Sequence, residues 1–180
     1  MEKKPTTRHR SSVGDIFAVN CESGDKRYLQ FIGRDKTFFG FGGDVVRVFK
    51  KAYGSDENPD LNEIAGDDVD FYAHLHHVTV GLKQGLWVRV GNLKSEMGNL
   101  KPIFYQAPAD SITRRIVESV SSKKPSSEWT LWQMDGESWE GTVEDIFKHS
   151  ADKGGVMPPQ WIYDRIKFGK YLISDPTYIR

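Results

Sequence analysis

The chain has 180 residues, 38% of them hydrophobic and 28% charged, with 25 basic side chains balanced by 25 acidic ones. That length suits one domain able to bury a core without staples, and zero net charge excludes a global field that would draw nucleic acid or an acidic membrane. A single cysteine, Cys21, excludes an intramolecular disulfide and a CxxC metal pair, and no run of ~20 apolar residues is present to span a bilayer.

Residues 1–12, MEKKPTTRHRSS, read as a flexible basic tail without the apolar centre of a signal peptide. Residues 13–180 read as a single β-rich domain. VGDIFAVN and KRYLQFIG are rich in β-branched and aromatic residues, and the turn-forming ESGD between them predicts a hairpin. RDKTFFGFGG is irregular and glycine-rich. It lacks the GxxxxGK[ST] of a phosphate loop, so a glycine-permitted turn or bulge is the better account. DVVRVFKKAY favours a strand, with a short helix capped by Asp44 as the open alternative.

GSDENPDLNEIAGDD is a loop or a broken helical turn. In VDFYAHLH the pattern alternates: Val69, Phe71, Ala73 and Leu75 share one face, and Asp70, Tyr72, His74 and His76 the other. GLWVRVG is a further strand. ADSITRRIVESVSS carries Ile112, Ile116, Val117 and Val120 at helical spacing. In EWTLWQMDGESWEGTV, Asp135-Gly136 predicts a two-residue type I′ hairpin, which would set Trp132 opposite Trp139. MPPQWIYDRIKFGKY predicts a helix with prolines in its first turn and Gly169 at its end. The sum is mainly β with some α: an antiparallel sheet or small barrel-like core of hairpins, with a C-terminal helix.

Three constellations bear on function. His74 and His76 would point the same way from one strand, with Tyr72 beside them, as the lining of a half-buried polar groove. An H-x-H pair can also give two zinc ligands, but zinc needs three or four, and only Asp70 and His149 are left to complete the set. From Ala52 to Leu82 there is no Lys or Arg, while Asp56, Glu57, Asp60, Glu63, Asp67, Asp68 and Asp70 lie in that stretch. An acidic strip on a neutral protein steers basic partners. Asp56, Glu57, Asp60, Asp67 and Asp68 are therefore the candidate steering residues, with Tyr53 as a nearby anchor. Arg114, Arg115, Lys123 and Lys124 make only a thin case for nucleic acid. There is no G-x-S-x-G and no H-E-x-x-H, so no catalytic residue is assigned, and no cofactor or metal is called for. Cys21 reads as a small apolar residue, not a reactive thiol.

VGDIFAV, YLQFIGRD, DVVRVFKKAY, NPDLNEI, VDFYAH, GLWVRVGN, EWTLWQMDGE and IYDRIKFGKY follow one another from about Val13 to Tyr171. Their joint order resembles the immunity protein 26-like family of bacterial polymorphic toxin loci. The chain departs from that pattern between Lys94 and Ser127, where its stretch is longer. The resemblance implies a mostly β protein that binds a cognate toxin and blocks it, and it brings no catalytic residues with it; a cytoplasmic location is read separately, from the single cysteine and the lack of a signal-like or membrane-spanning run. A toxin acting on polyanions would present a basic surface, complementary to the acidic strip. Some relatives carry the label phosphotriesterase. A small metal-dependent hydrolase using His74 and His76, with Asp70, is the alternative, zinc lowering the pKa of a bound water to ~7.

Overall fold

A computed structural model of the chain describes residues 10–37, 43–94, 100–106 and 129–170. The first hairpin joins β1 (Asp15–Asn20) to β2 (Lys26–Asp35). Its turn closes through Cys21 N–H to Asp25 O at 2.8 Å, with Gly24 at φ +87° supplying the left-handed residue. β3 (Gly43–Phe49) and β4 (Val69–Leu75) continue the antiparallel meander, and β5 (Val88–Asn92) pairs on the far side of β1. The two-residue β10 (Val156–Met157) adds a short parallel edge, giving the order β10-β4-β3-β2-β1-β5. A second sheet has the order β8-β7-β6-β9, from β6 (Ile103–Gln106), β7 (Trp129–Gln133), β8 (Ser138–Gly141) and β9 (Asp152–Lys153). Of the two sequence alternatives, open and mostly antiparallel sheets form, with two short parallel pairings. The α+β class holds.

Alternation in the six-stranded sheet makes two apolar faces, and each is covered. Phe17, Leu29, Phe31, Val46, Val48, Phe71, Ala73 and Leu75 face one way. The helix α4 (Pro159–Phe168) closes over them with Ile162 and Ile166, and α2 (Val78–Lys83) adds Val78 and Leu82. Gly169 ends α4 in the left-handed conformation at φ 69°, its N–H bonded to Arg165 O at 2.9 Å, as its place in the sequence predicts.

The other face carries two separate clusters. Ile16, Tyr28, Phe49 and Tyr53 pack with Ile64 of α1 (Leu61–Ala65). Ile32 and Val45 pack with Phe104 and Trp132 of the four-stranded sheet and with Met134, just past the end of β7. Between them, Gln30, Arg47 and Tyr72 stand opposite one another across β2, β3 and β4.

Several expectations need correction. Asp44 caps no helix of its own: it lies within β3, and its Oδ2 takes the Val78 N–H at 2.9 Å, capping α2 from a neighbouring strand. The β7–β8 hairpin closes on three residues, not two, because Asp135 (φ 53°) is left-handed and Gly136 bonds back to Gln133. Trp132 therefore faces Ser138, and Trp139 faces Leu131. A slip of one residue sends the two tryptophans to opposite faces. α3 (Val143–Lys148) and β6 were not expected. The helix expected at 109–122 and the cations Arg114, Arg115, Lys123 and Lys124 lie outside the described residues, as does most of the N-terminal tail.

Candidate functional site

The polar centre of the molecule is built by a bulge. Along β2, Leu29 and Phe31 point to the helical face, so strict alternation would send Asp35 there too. The register with β3 shifts between Phe31 and Gly33. That shift reverses the phase and turns Asp35 toward the second sheet. His74 on β4 opposes Val45 and emerges on the same side. Asp35 Oδ2 lies 2.8 Å from His74 Nε2 and 2.8 Å from Trp132 Nε1. Its Oδ1 accepts the backbone N–H of Thr37 at 2.9 Å and of Asp135 at 3.3 Å. In return Asp135 Oδ1 accepts the Lys36 N–H at 3.0 Å, so the tip of the β7–β8 hairpin is latched to the end of β2.

This arrangement is dry. Asp35 is fully buried and His74 is 1% exposed, its ring 4.0 Å from that of Phe104 between centroids. Burial alone would push the Asp35 carboxyl up. The hydrogen bonds from His74, Thr37, Trp132 and Asp135 outweigh it and hold the group well below the usual carboxylate range. A carboxylate offers only acceptors, so the His74 Nε2 carries the hydrogen toward Asp35. The arrangement joins two sheets through a compensated buried charge.

Tyr72, His74 and His76 are not brought together. Tyr72 and His74 share the face covered by the second sheet, whereas His76 lies past the end of β4 and is exposed. His76 stacks on His77, with ring centroids 5.2 Å apart, and His77 Nδ1 accepts from Arg34 Nη2 at 3.1 Å. Asp70 pairs with Arg27 at 2.7 Å, and His149 packs on the Trp139 ring. The four side chains weighed as zinc ligands are thus drawn into separate neighbourhoods. Among the described residues, no three His, Cys, Asp or Glu side chains converge in a set able to hold a metal ion.

The acidic stretch lies at the surface around α1, and its carboxylates divide by role. Asp60 caps α1, accepting the N–H groups of Asn62 and Glu63 at 2.8 Å each. Asp67 accepts the N–H of Lys51 at 2.6 Å and that of Asp68 at 2.8 Å. Glu57 closes the turn onto the Gly54 N–H. Asp56 and Asp68 are exposed, and no side-chain partner engages them among the described residues. Folding brings two cations to this stretch that its own sequence lacks. Lys51 pairs with Glu63 at 3.0 Å, and Lys26 Nζ donates to Ser55 O at 3.0 Å. Tyr53 is no surface anchor: it is 2% exposed, set edge-on to Tyr28 and covered by the Lys51 ammonium.

Two further carboxylates were missed in the sequence. Asp15 is buried and held by Arg89 and Asn92, each at 2.8 Å. Asp152 of β9 accepts the Tyr72 N–H at 2.8 Å, on the edge of β4 away from β3 where the short β10 does not reach, and lies 3.8 Å from Arg165. Burial pushes Asp152 up to about 6, against the hydrogen bond from Tyr72 and the charge of Arg165, with Asp70 adding to the rise. Cys21 is half-buried against the helical-face core, and burial raises its thiol, as suits a small apolar residue. Among the described residues no helix is long and apolar enough to cross a membrane.

Compared with known proteins, the chain matches no family model, no curated protein and no solved structure.

Proposed function

We propose that the protein is a non-catalytic inhibitor of the immunity type, acting in the cytoplasm by binding a cognate toxin with a basic surface and covering it. The observation that carries this reading is the acidic surface around α1. Asp60, Asp67 and Glu57 are tied to backbone N–H groups, which fixes the loop on either side of the helix. Asp56 and Asp68 then stand exposed on a preorganised frame. A fixed array of carboxylates loses little conformational entropy on meeting a basic partner and speeds its encounter. The most prominent buried polar group, Asp35–His74–Trp132, is occupied in joining the sheets, and its carboxylate is already satisfied by four donors. The order of segments that resembles immunity protein 26-like sequences points the same way.

The test is co-expression. The protein encoded beside this chain, or its C-terminal domain, is produced in a host with and without it. The expected result is growth arrest relieved by the chain, with the two proteins co-purifying. Arrest that persists although the chain is folded and abundant contradicts the reading.

A further inference from the structure

Gln30, Arg47 and Tyr72 form a polar row across three strands, on the face of the six-stranded sheet that lies between two apolar clusters. Arg47 is 6% exposed. Its Nε donates to Gln30 Oε1 at 2.8 Å, and its guanidinium lies 4.8 Å above the Phe49 ring. Gln30 in turn is fully buried and spends its amide on two carbonyls, Gly14 O and Leu93 O, each at 3.1 Å. The carboxamide is thereby locked with its oxygen toward Arg47, and the guanidinium plane is fixed.

What this row lacks is an anion. The buried Nη2 of Arg47 meets no hydrogen-bond acceptor among the described residues. Burial lowers the guanidinium's pKa, opposed only by the Tyr72 phenol, and no carboxylate contributes. A buried cation without a counter-charge among the described residues is expensive, and an anionic ligand would supply that charge.

We propose that Arg47 anchors a carboxylate-binding site, with Gln30 as its positioning residue and Tyr72 at its side. With Nε committed to Gln30, the Nη end of the fork is the edge that meets the ligand. The single positive charge sets the class. A carboxylate cancels it, whereas a phosphate dianion would leave a buried negative charge behind. The site shares no residue with the acidic surface and stands independently of the immunity reading.

The experiment uses the full chain, with sodium acetate replacing sodium chloride at constant ionic strength. Acetate at tens of millimolar is expected to raise the wild-type unfolding midpoint by about 3 °C, with no effect on Arg47→Met. In the wild type, acetate should also shift the Arg47 Nε–H resonance, a readout that needs no variant. No midpoint rise, an equal rise in Arg47→Met, or an unmoved Nε–H resonance overturns the site. A larger effect from phosphate than from acetate overturns the carboxylate class. A short peptide with a free C-terminus, set against its amide, separates the sources: tighter binding than acetate supports a polypeptide carboxylate, and equal binding supports a small-molecule one. An amide that binds as well as the acid overturns the proposal.

Discussion

Asp35 and His74 meet at 2.8 Å although 39 residues separate them in the chain, and neither is reached by solvent to any useful extent. With Trp132 as the third member, the contact ties the two sheets at the point where their shared apolar cluster ends. Asp35→Ala leaves the His74 and Trp132 donors buried without this acceptor and should cost about 3–5 kcal/mol in urea unfolding. A double-mutant cycle over Asp35→Asn and His74→Phe should return a coupling of about 1–3 kcal/mol. Additive losses would show that the two groups do not act together.

Asp35 and Asp152 give opposite pH dependences. The folded-state pKa of Asp35 is depressed, so its stabilisation is fully present above about pH 4 and is lost as pH falls below its ordinary value. The folded-state pKa of Asp152 is raised to about 6, so the folded state gains when it is protonated. Its contribution is fully present below about pH 4 and is lost as pH rises through 6. Asp152→Asn still offers an oxygen to the Tyr72 N–H. It should match the wild type near pH 4 and exceed it by up to about 3 kcal/mol at pH 7.5. Guanidinium unfolding at the two pH values checks the sign, and a variant less stable at pH 7.5 would show that the Arg165 interaction dominates.

Gly154 packs edge-on against Trp132, and a Cβ there would overlap the indole ring. Gly154→Ala should cost about 1–3 kcal/mol by overpacking and should change the near-ultraviolet circular dichroism as the indole moves. Unchanged stability and spectrum would mean that the ring has room to give.

The acidic residues should separate into caps and free charges. Asp60→Ala removes the α1 cap and should cost about 1 kcal/mol. Asp56→Asn and Asp68→Asn, with no side-chain partner among the described residues, should each change stability by less than about 0.5 kcal/mol. Thermal unfolding of the three variants tests the division.

Legibility followed local chemistry. The β1–β2 hairpin, the alternation of β4 and the proline-to-glycine span of α4 could be read because each is specified by neighbouring residues. The polar centre could not. Asp35 reaches His74 only because the bulge at Ile32 inverts the phase of β2; Gly33 (φ 156°) inside the strand run hints at a bulge, but the pairing with β3 that fixes the shift is not local. The β7–β8 register slipped by one because Asp-Gly suits a two-residue loop, while here Asp135 alone is left-handed and its N–H is aimed at Asp35. α3 did leave a signal: Thr142 and Asp145 make a capping box, with the Thr142 N–H on Asp145 Oδ2 at 2.9 Å. The acidic strip was visible as composition. That Asp60 and Asp67 serve the backbone, and that Lys26 and Lys51 fold in beside them, depends on tertiary structure.

The most direct test of the binding account is the association rate of the chain with the toxin domain identified by co-expression, measured by stopped flow at low and moderate salt. The account predicts that the Asp56→Asn/Asp68→Asn variant, as stable as the wild type, associates several-fold more slowly at low salt, with the gap closing as salt rises and dissociation little changed. Equal association rates for variant and wild type at low salt would contradict it.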